Sequence, residues 1–199
     1  MKNTFLAIGL FCITLGLQAQ NIKLPTPEKT GGKPIMETLN ERRSERSYVK
    51  KEMSEQMLSN LLWAANGFNR DERRTAPTAM NKQEMELYVM FDSGIYFYDA
   101  KANVLKLVAK GDFKEALGQP QISNDAALSI IMVADTNKSS IEWAAVSTGY
   151  ISQNIYLFAA SEGLGTVARG SFKKEELSKA LQLKENQQIT LVQPVGFLK

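Results

Sequence analysis

The spacing of apolar positions changes several times along the chain, and each change marks an element. Ile35, Met36 and Leu39 fall at helical spacing and predict a short first helix that runs into the basic stretch Arg42-Arg43-Ser44-Glu45-Arg46. Ser54 suits the N-cap of a second helix, with Met57, Leu58, Leu61, Leu62 and Ala65 on its apolar face and Gly67 as its stop. Phe68 to Ala76 is polar, and Pro77-Thr78 suits the opening of another short helix. From Leu87 the pattern turns strand-like: Leu87 to Phe91 and Ile95 to Tyr98 flank the turn Asp92-Ser93-Gly94, with Val104 to Val108 as a third strand. Asp112 to Leu117 reads as a short helix closed by Gly118, and the unbroken apolar run Ala127 to Val133 as a central, buried strand.

Ile141 to Glu162 is the longest periodic segment, apolar over much of its circumference, and ends at Gly163. Such a helix is buried against more than one neighbour, inside the subunit or across a dimer contact. A short strand over Thr166 to Ala168, a helix over Lys173 to Leu181 and a strand from Ile189 to Val195 complete the series. The order is that of an α+β fold, without the regular strand-helix alternation of a doubly wound sheet.

The first residues stand apart from this pattern. Lys2, the apolar run Phe5 to Leu17 and the sequence Leu17-Gln18-Ala19 have the layout of a secretory signal peptide with its cleavage site. A spanning helix needs roughly 20 apolar residues, and this run stops at Gln18. The expected organisation is a signal peptide over residues 1–19, an extended linker rich in proline and glycine over 20–34, and one domain over 35–199. The mature product is then exported to the periplasm or beyond the cell, with no membrane segment of its own.

Composition narrows the chemistry. Without Lys2 the 24 basic residues become 23 against 21 acidic ones, which gives no reason to expect nucleic acid as a partner. The chain has no histidine, and its one cysteine, Cys12, lies in the leader. Ser-His-Asp and Cys-His nucleophilic devices cannot be built from the remainder, nor can zinc sites made of histidine and cysteine, and no metal site is expected. Such a protein either binds without reacting or takes its chemistry from a cofactor that it places and tunes.

Three segments could form a cradle. Arg42, Arg43 and Arg46, interleaved with Ser44, suit a phosphate, because guanidinium forks make charge-assisted contacts and the hydroxyl adds a donor. They equally suit a solvated cationic helix end. In Pro77-Thr78-Ala79-Met80-Asn81-Lys82-Gln83, the amides of Asn81 and Gln83 each offer a donor and an acceptor, as the edge of a flat heterocycle requires. An ordinary helix start would look the same. In Gly163-Leu164-Gly165-Thr166 and Ala168-Arg169-Gly170-Ser171, Gly163 is assigned to a helix cap, while Gly170 has no helix end to terminate.

In order and separation, R-R-S-x-R, R-T-A-P-T-A-x-N-x-Q, Q-N-I-Y-L-x-A-A-x-E-G-L-G-T-V and the closing P-V-G-F resemble the nitroreductase family over nearly the whole mature chain, closest to the branch that includes SagB-type dehydrogenases. The resemblance implies a central, mostly antiparallel sheet flanked by helices, in an intertwined homodimer that binds FMN. It places Arg42, Arg43 and Ser44 at the flavin phosphate and ribityl chain, and Arg46 at the pyrimidine edge of the ring. Asn81, in the segment that begins Pro77-Thr78-Ala79, would read that edge, Gln83 would support the loop, Gly170 and Ser171 would approach N5, and Lys199 would sit near the phosphate. The implied activity is ping-pong reduction of small aromatic, nitroaromatic or quinone-like acceptors, with no catalytic side chain. NAD(P)H is the usual donor of the family, although an exported enzyme meets little of it. Oxidation of a substrate, as in the SagB-like branch, and non-catalytic binding of a flavin or other planar ligand are the competing readings.

Overall fold

The computed structural model describes residues 21–199, so the leader read at residues 1–19 lies outside the described residues. The strands are β1 (Ile22–Lys23), β2 (Tyr48–Val49), β3 (Phe68–Arg70), β4 (Arg73–Arg74), β5 (Met85–Phe91), β6 (Gly94–Asp99), β7 (Val104–Lys110), β8 (Leu128–Asp135), β9 (Leu164–Thr166) and β10 (Gln187–Leu198). The helices are α1 (Ile35–Glu41), α2 (Glu55–Asn66), α3 (Pro120–Ser123), α4 (Ile141–Ser161) and α5 (Lys174–Ala180). One large antiparallel sheet runs in the order β1-β7-β6-β5-β8-β10-β2, with β9 also paired to β10, while β3 and β4 form a separate hairpin.

The apolar run of β8 is buried on both faces, as its sequence implies. Leu128, Ile130, Met132 and Ala134 point to one side, where Leu58, Leu61, Leu62 and Ala65 of α2 and Ile151, Ile155 and Ala159 of α4 cover the sheet. Ile131 and Val133 point to the other side, against Leu177 of α5 and Leu117. Each such aliphatic side chain, fully buried, stabilises the fold by about 1.5–3 kcal/mol. Ser54 caps α2 by accepting from the Met57 amide at 3.3 Å.

Four features depart from the expected pattern. Residues 21–34 are extended but not a free linker: β1 adds to β7, Leu24 is buried, and Ser59 donates to the Pro25 carbonyl at 2.6 Å. The polar stretch after Gly67 folds as the β3–β4 hairpin, and Ala79–Asn81 is a single 3-10 turn in place of a helix. The strand after Gly163 begins at Leu164, two residues earlier than its apolar pattern suggested. Finally, the apolar side of α1 does not enter the core: Ile35, Met36 and Leu39 are exposed, as are Trp143, Val146 and Tyr150 of α4. No helix among the described residues is long and apolar enough to cross a membrane.

Candidate functional site

Chain direction and sheet order bring the arginine segment to the end of β10. The α1 helix stops at Arg42, and residues 42–47 are then held against the sheet by the Glu45 amide, which donates to the Thr166 carbonyl at 2.9 Å. The next two residues enter the sheet, with Tyr48 opposite Leu198. Close packing locks the corner. A Cβ on Gly165 would stand 2.6 Å from Leu198 Cδ2, 3.0 Å from Glu45 Cβ and 3.1 Å from Tyr48 Cε1, so any larger residue would have to push all three side chains back.

A cavity of about 480 Å³ opens there, lined by Lys33, Arg42 and Arg43, by the carboxylates Glu41 and Glu45, and by the apolar Ala159, Leu164 and Leu198. Arg42 lies over the Tyr156 ring at 5.3 Å, whereas Arg43 is mostly exposed and pairs with Glu45. Ser44 and Tyr156 meet hydroxyl to hydroxyl at 2.9 Å, and the same phenol accepts from the Ala168 amide at 2.9 Å. Arg46 is exposed. Lys199 follows Leu198, but its ammonium leans toward Asp125 at 3.9 Å.

Tyr156 therefore ties the serine of the arginine segment to the strand that leads to Gly170. Gly170 is exposed, and an added Cβ would meet nothing within 4 Å, so the chain itself does not demand glycine there. Between them sits Arg169, whose importance the spacing of motifs did not disclose. It is 6% exposed, and its Nη2 donates to the carbonyls of Leu117, Gly118 and Ser171 at 2.9, 3.1 and 3.2 Å. Its Nε and Nη1 have no partner. Burial lowers its pKa from the ordinary arginine value, against a smaller opposing influence of Tyr48. The Tyr48 phenol is itself pushed up strongly, by burial first, while Arg169 and Arg46 pull it back.

The second expected segment lies elsewhere. Asn81, Lys82 and Gln83 line a different cavity together with Phe97, Tyr98 and Asp99, beside β6. Met80, Asn81 and Gln83 all have positive φ, at 53°, 55° and 49°, a left-handed conformation that side chains rarely adopt. Side-chain bonds hold it: Gln83 accepts from Arg74 Nε at 2.9 Å, and Gln83 and Asn81 both donate to the Glu72 carbonyl, at 2.9 and 3.0 Å. Thr78 accepts from the Gln83 amide at 3.0 Å, while Pro77 and Ala79 contribute only to the course of the loop. Met80 projects from it 89% exposed. Among the described residues no hydrogen bond or ion pair joins this loop to Arg42–Arg46. A single chain joins Ser44 through Tyr156 to Ala168, two residues before Gly170, and leaves the Pro77 to Gln83 loop at another cavity.

Arg169, on the segment after β9 and outside the lining of the first cavity, keeps two buried nitrogens without partners among the described residues. An anionic tail suits the guanidiniums that line that cavity, and a planar group suits its apolar lining. These are the requirements of a flavin mononucleotide, so the residues present fit that group. Together with the sheet, they define a flavin-type oxidoreductase. The chain belongs to the nitroreductase family, whose profile matches residues 39–197. It is similar to a nitroreductase homologue of Methanocaldococcus jannaschii, 28% identical over 194 residues, covering 88% of this chain and 95% of the relative. It is also similar to a solved nitroreductase-like protein of Ralstonia eutropha, at 31% identity and a TM-score of 0.81, with 90% of each chain covered. An FMN-dependent nitroreductase of Clostridium difficile shares the fold at 19% identity and a TM-score of 0.60, over 82% of this chain and 87% of that one.

Proposed function

We propose that the chain is an exported, FMN-dependent oxidoreductase that reduces small planar acceptors such as nitroaromatics or quinones. The single observation that carries the reading is the cavity lined by Arg42, Arg43 and apolar side chains, at which Tyr156 ties Ser44 to the Ala168 amide. Arg42, Arg43 and Ser44 hold the phosphate and ribityl chain, with Lys199 close by, and Arg46 lies toward the pyrimidine edge. The amides of Gly170 and Ser171 stand open to the ring. FMN, when bound, supplies the electron-carrying ring, and the protein needs no acid, base or nucleophile of its own. A donor and an acceptor use one face in turn. NAD(P)H serves where it is present, and outside the cytoplasm another reductant takes its place.

We further propose that the working unit is a homodimer. The exposed apolar residues of α1 and α4 give a face for a second copy, and the distance between the arginine segment and the Pro77–Gln83 loop is explained when each site takes one from either chain. In a two-fold dimer each residue contact is reciprocated.

The test begins with colour. The purified protein should be yellow, bleach with dithionite or NAD(P)H, and regain its colour with a nitroaromatic. A colourless protein that ignores added FMN ends the proposal. Division of the site is tested by co-refolding Arg42→Ala and Asn81→Ala chains. Each variant alone should be weak, and the mixture should recover about a quarter of wild-type activity, since half the dimers are mixed and carry one intact site. No recovery would place both segments in the same chain's site.

A further inference from the structure

A buried cation without a counter-ion is the least settled group in the described molecule. Arg169 is 6% exposed, yet among the described residues no carboxylate pairs with it, and two of its three side-chain nitrogens lack partners. Three backbone carbonyls at its Nη2 compensate only part of a full charge. Arginine keeps its proton at any working pH, so the charge cannot be shed, and leaving it unopposed in a poorly hydrated place is costly. In native structures such a group has a cause, and a redox or catalytic role and a bound ion or water are among the recurring ones.

Its position says which use. Arg169 follows Ala168, whose amide is bonded to Tyr156, and precedes Gly170, where open space replaces a side chain. Thr166 and Leu164, just upstream, line the arginine cavity. Both Arg169 and Arg46 pull the burial-raised pKa of the Tyr48 phenol back down, so each guanidinium acts electrostatically on that ring. They differ in setting. Arg46 is exposed and screened by solvent, while Arg169 acts through a less polarisable medium, where a charge reaches further.

We propose that Arg169 is the counter-charge for the bound flavin in its reduced state, and that it raises the flavin's reduction potential. This rests on the FMN reading above and goes beyond it. Hydride addition to a neutral ring brings two electrons and one proton, and so leaves one net negative charge. A fixed carboxylate beside Arg169 would cancel the field in advance. With none, the field is aimed beforehand at charge that appears only on reduction.

The experiment measures the midpoint potential of bound FMN by dye equilibration in wild type, Arg169→Gln, Arg169→Lys and Arg46→Gln, with thermal melts alongside. Arg169→Gln should lower the equilibrium constant for reduction about tenfold, about 30 mV for a two-electron couple. Arg169→Lys should retain most of the wild-type value, and Arg46→Gln should shift it less than Arg169→Gln does. A residue that merely clamps the three carbonyls would alter the melt and leave the potential in place, and an unchanged potential in flavin-loaded Arg169→Gln overturns the proposal. Where that variant does not fold, wild type carries the test through sulfite. Sulfite forms a bond to N5 with its own electron pair and leaves its negative charge on the ring. Its affinity for the bound flavin should exceed that for free FMN at least about tenfold, and equal or weaker affinity counts against Arg169. A protein that takes up no FMN at all sinks the cofactor reading itself, and this inference with it.

Discussion

Ser44 and Tyr156 lie 112 residues apart in the chain and meet hydroxyl to hydroxyl at 2.9 Å. Because the phenol also accepts from the Ala168 amide, one oxygen joins the arginine segment, α4 and the segment after β9. Tyr156→Phe removes both bonds and leaves the amide without its partner. A loss of about 0.5–1.5 kcal/mol is expected, read as a lower urea midpoint at unchanged slope, together with weaker FMN retention.

Two glycines five residues apart should respond in opposite ways. Gly165→Ala forces a methyl group against Leu198, Glu45 and Tyr48 and should cost about 1–3 kcal/mol of stability. Gly170→Ala meets no protein atom within 4 Å, so its stability should stay within about 0.5 kcal/mol of wild type. Its FMN affinity should fall. Thermal melts with and without added FMN separate the two effects.

Arg42→Ala should release the flavin. Removing one partner of a buried phosphate contact typically costs about 2–5 kcal/mol, visible by equilibrium dialysis as loss of colour from the protein fraction. Retention at wild-type affinity would assign the phosphate to other residues.

Glu84 is fully buried just before β5, and the Ser147 hydroxyl donates to its Oε1 at 2.6 Å while Oε2 has no partner. Ser147→Ala strips the only side-chain bond that the carboxyl group makes among the described residues and should cost about 1–3 kcal/mol. Chemical denaturation checks this, and Ser147→Thr, which keeps the hydroxyl, should restore part of the loss.

The turn between β6 and β7 gives an acid-sensitive element. Lys106 at 2.6 Å, then the Ala102 amide at 3.1 Å, hold the Asp99 carboxyl below its ordinary pKa. A depressed carboxylate contributes stability that is complete above its unfolded-state pKa and is lost as pH falls through the folded value. Wild type should therefore lose stability as pH drops below the usual aspartate range, and Asp99→Asn should show a shallower fall over the same window, followed by melting temperature against pH.

Much of the fold is legible along the chain because burial imposes its period on the residues. The run Ala127 to Val133 has no polar position to offer solvent, and the strand it forms is covered on both faces. Ser54 caps α2 as its hydroxyl allows, and Gly67 ends the helix in extended conformation, where its lack of a side chain leaves room for Trp63. The β3–β4 hairpin is hidden because its strands are short and polar, and its shape depends on side-chain contacts that leave no apolar period, with Arg74 over the Phe68 ring at 4.5 Å and bonded to Gln83. The residue types of the arginine segment point to a phosphate, and the proposed site rests on that reading. The burial of Arg169 is not legible in the same way, since a lone arginine after a strand carries no sign that two of its nitrogens will lack partners among the described residues. Nor could spacing alone tell that Asn81 lies apart from Arg42, because sequence distance does not say which sheet edge a loop will reach.

That last separation has a practical meaning for anyone who assays the protein. If each chain carries half of two sites, a lone protomer holds two incomplete ones, and turnover per molecule becomes a function of how much protein is in the tube. Serial dilution would then extinguish activity more steeply than linearly, and excess FMN would only slow the decline.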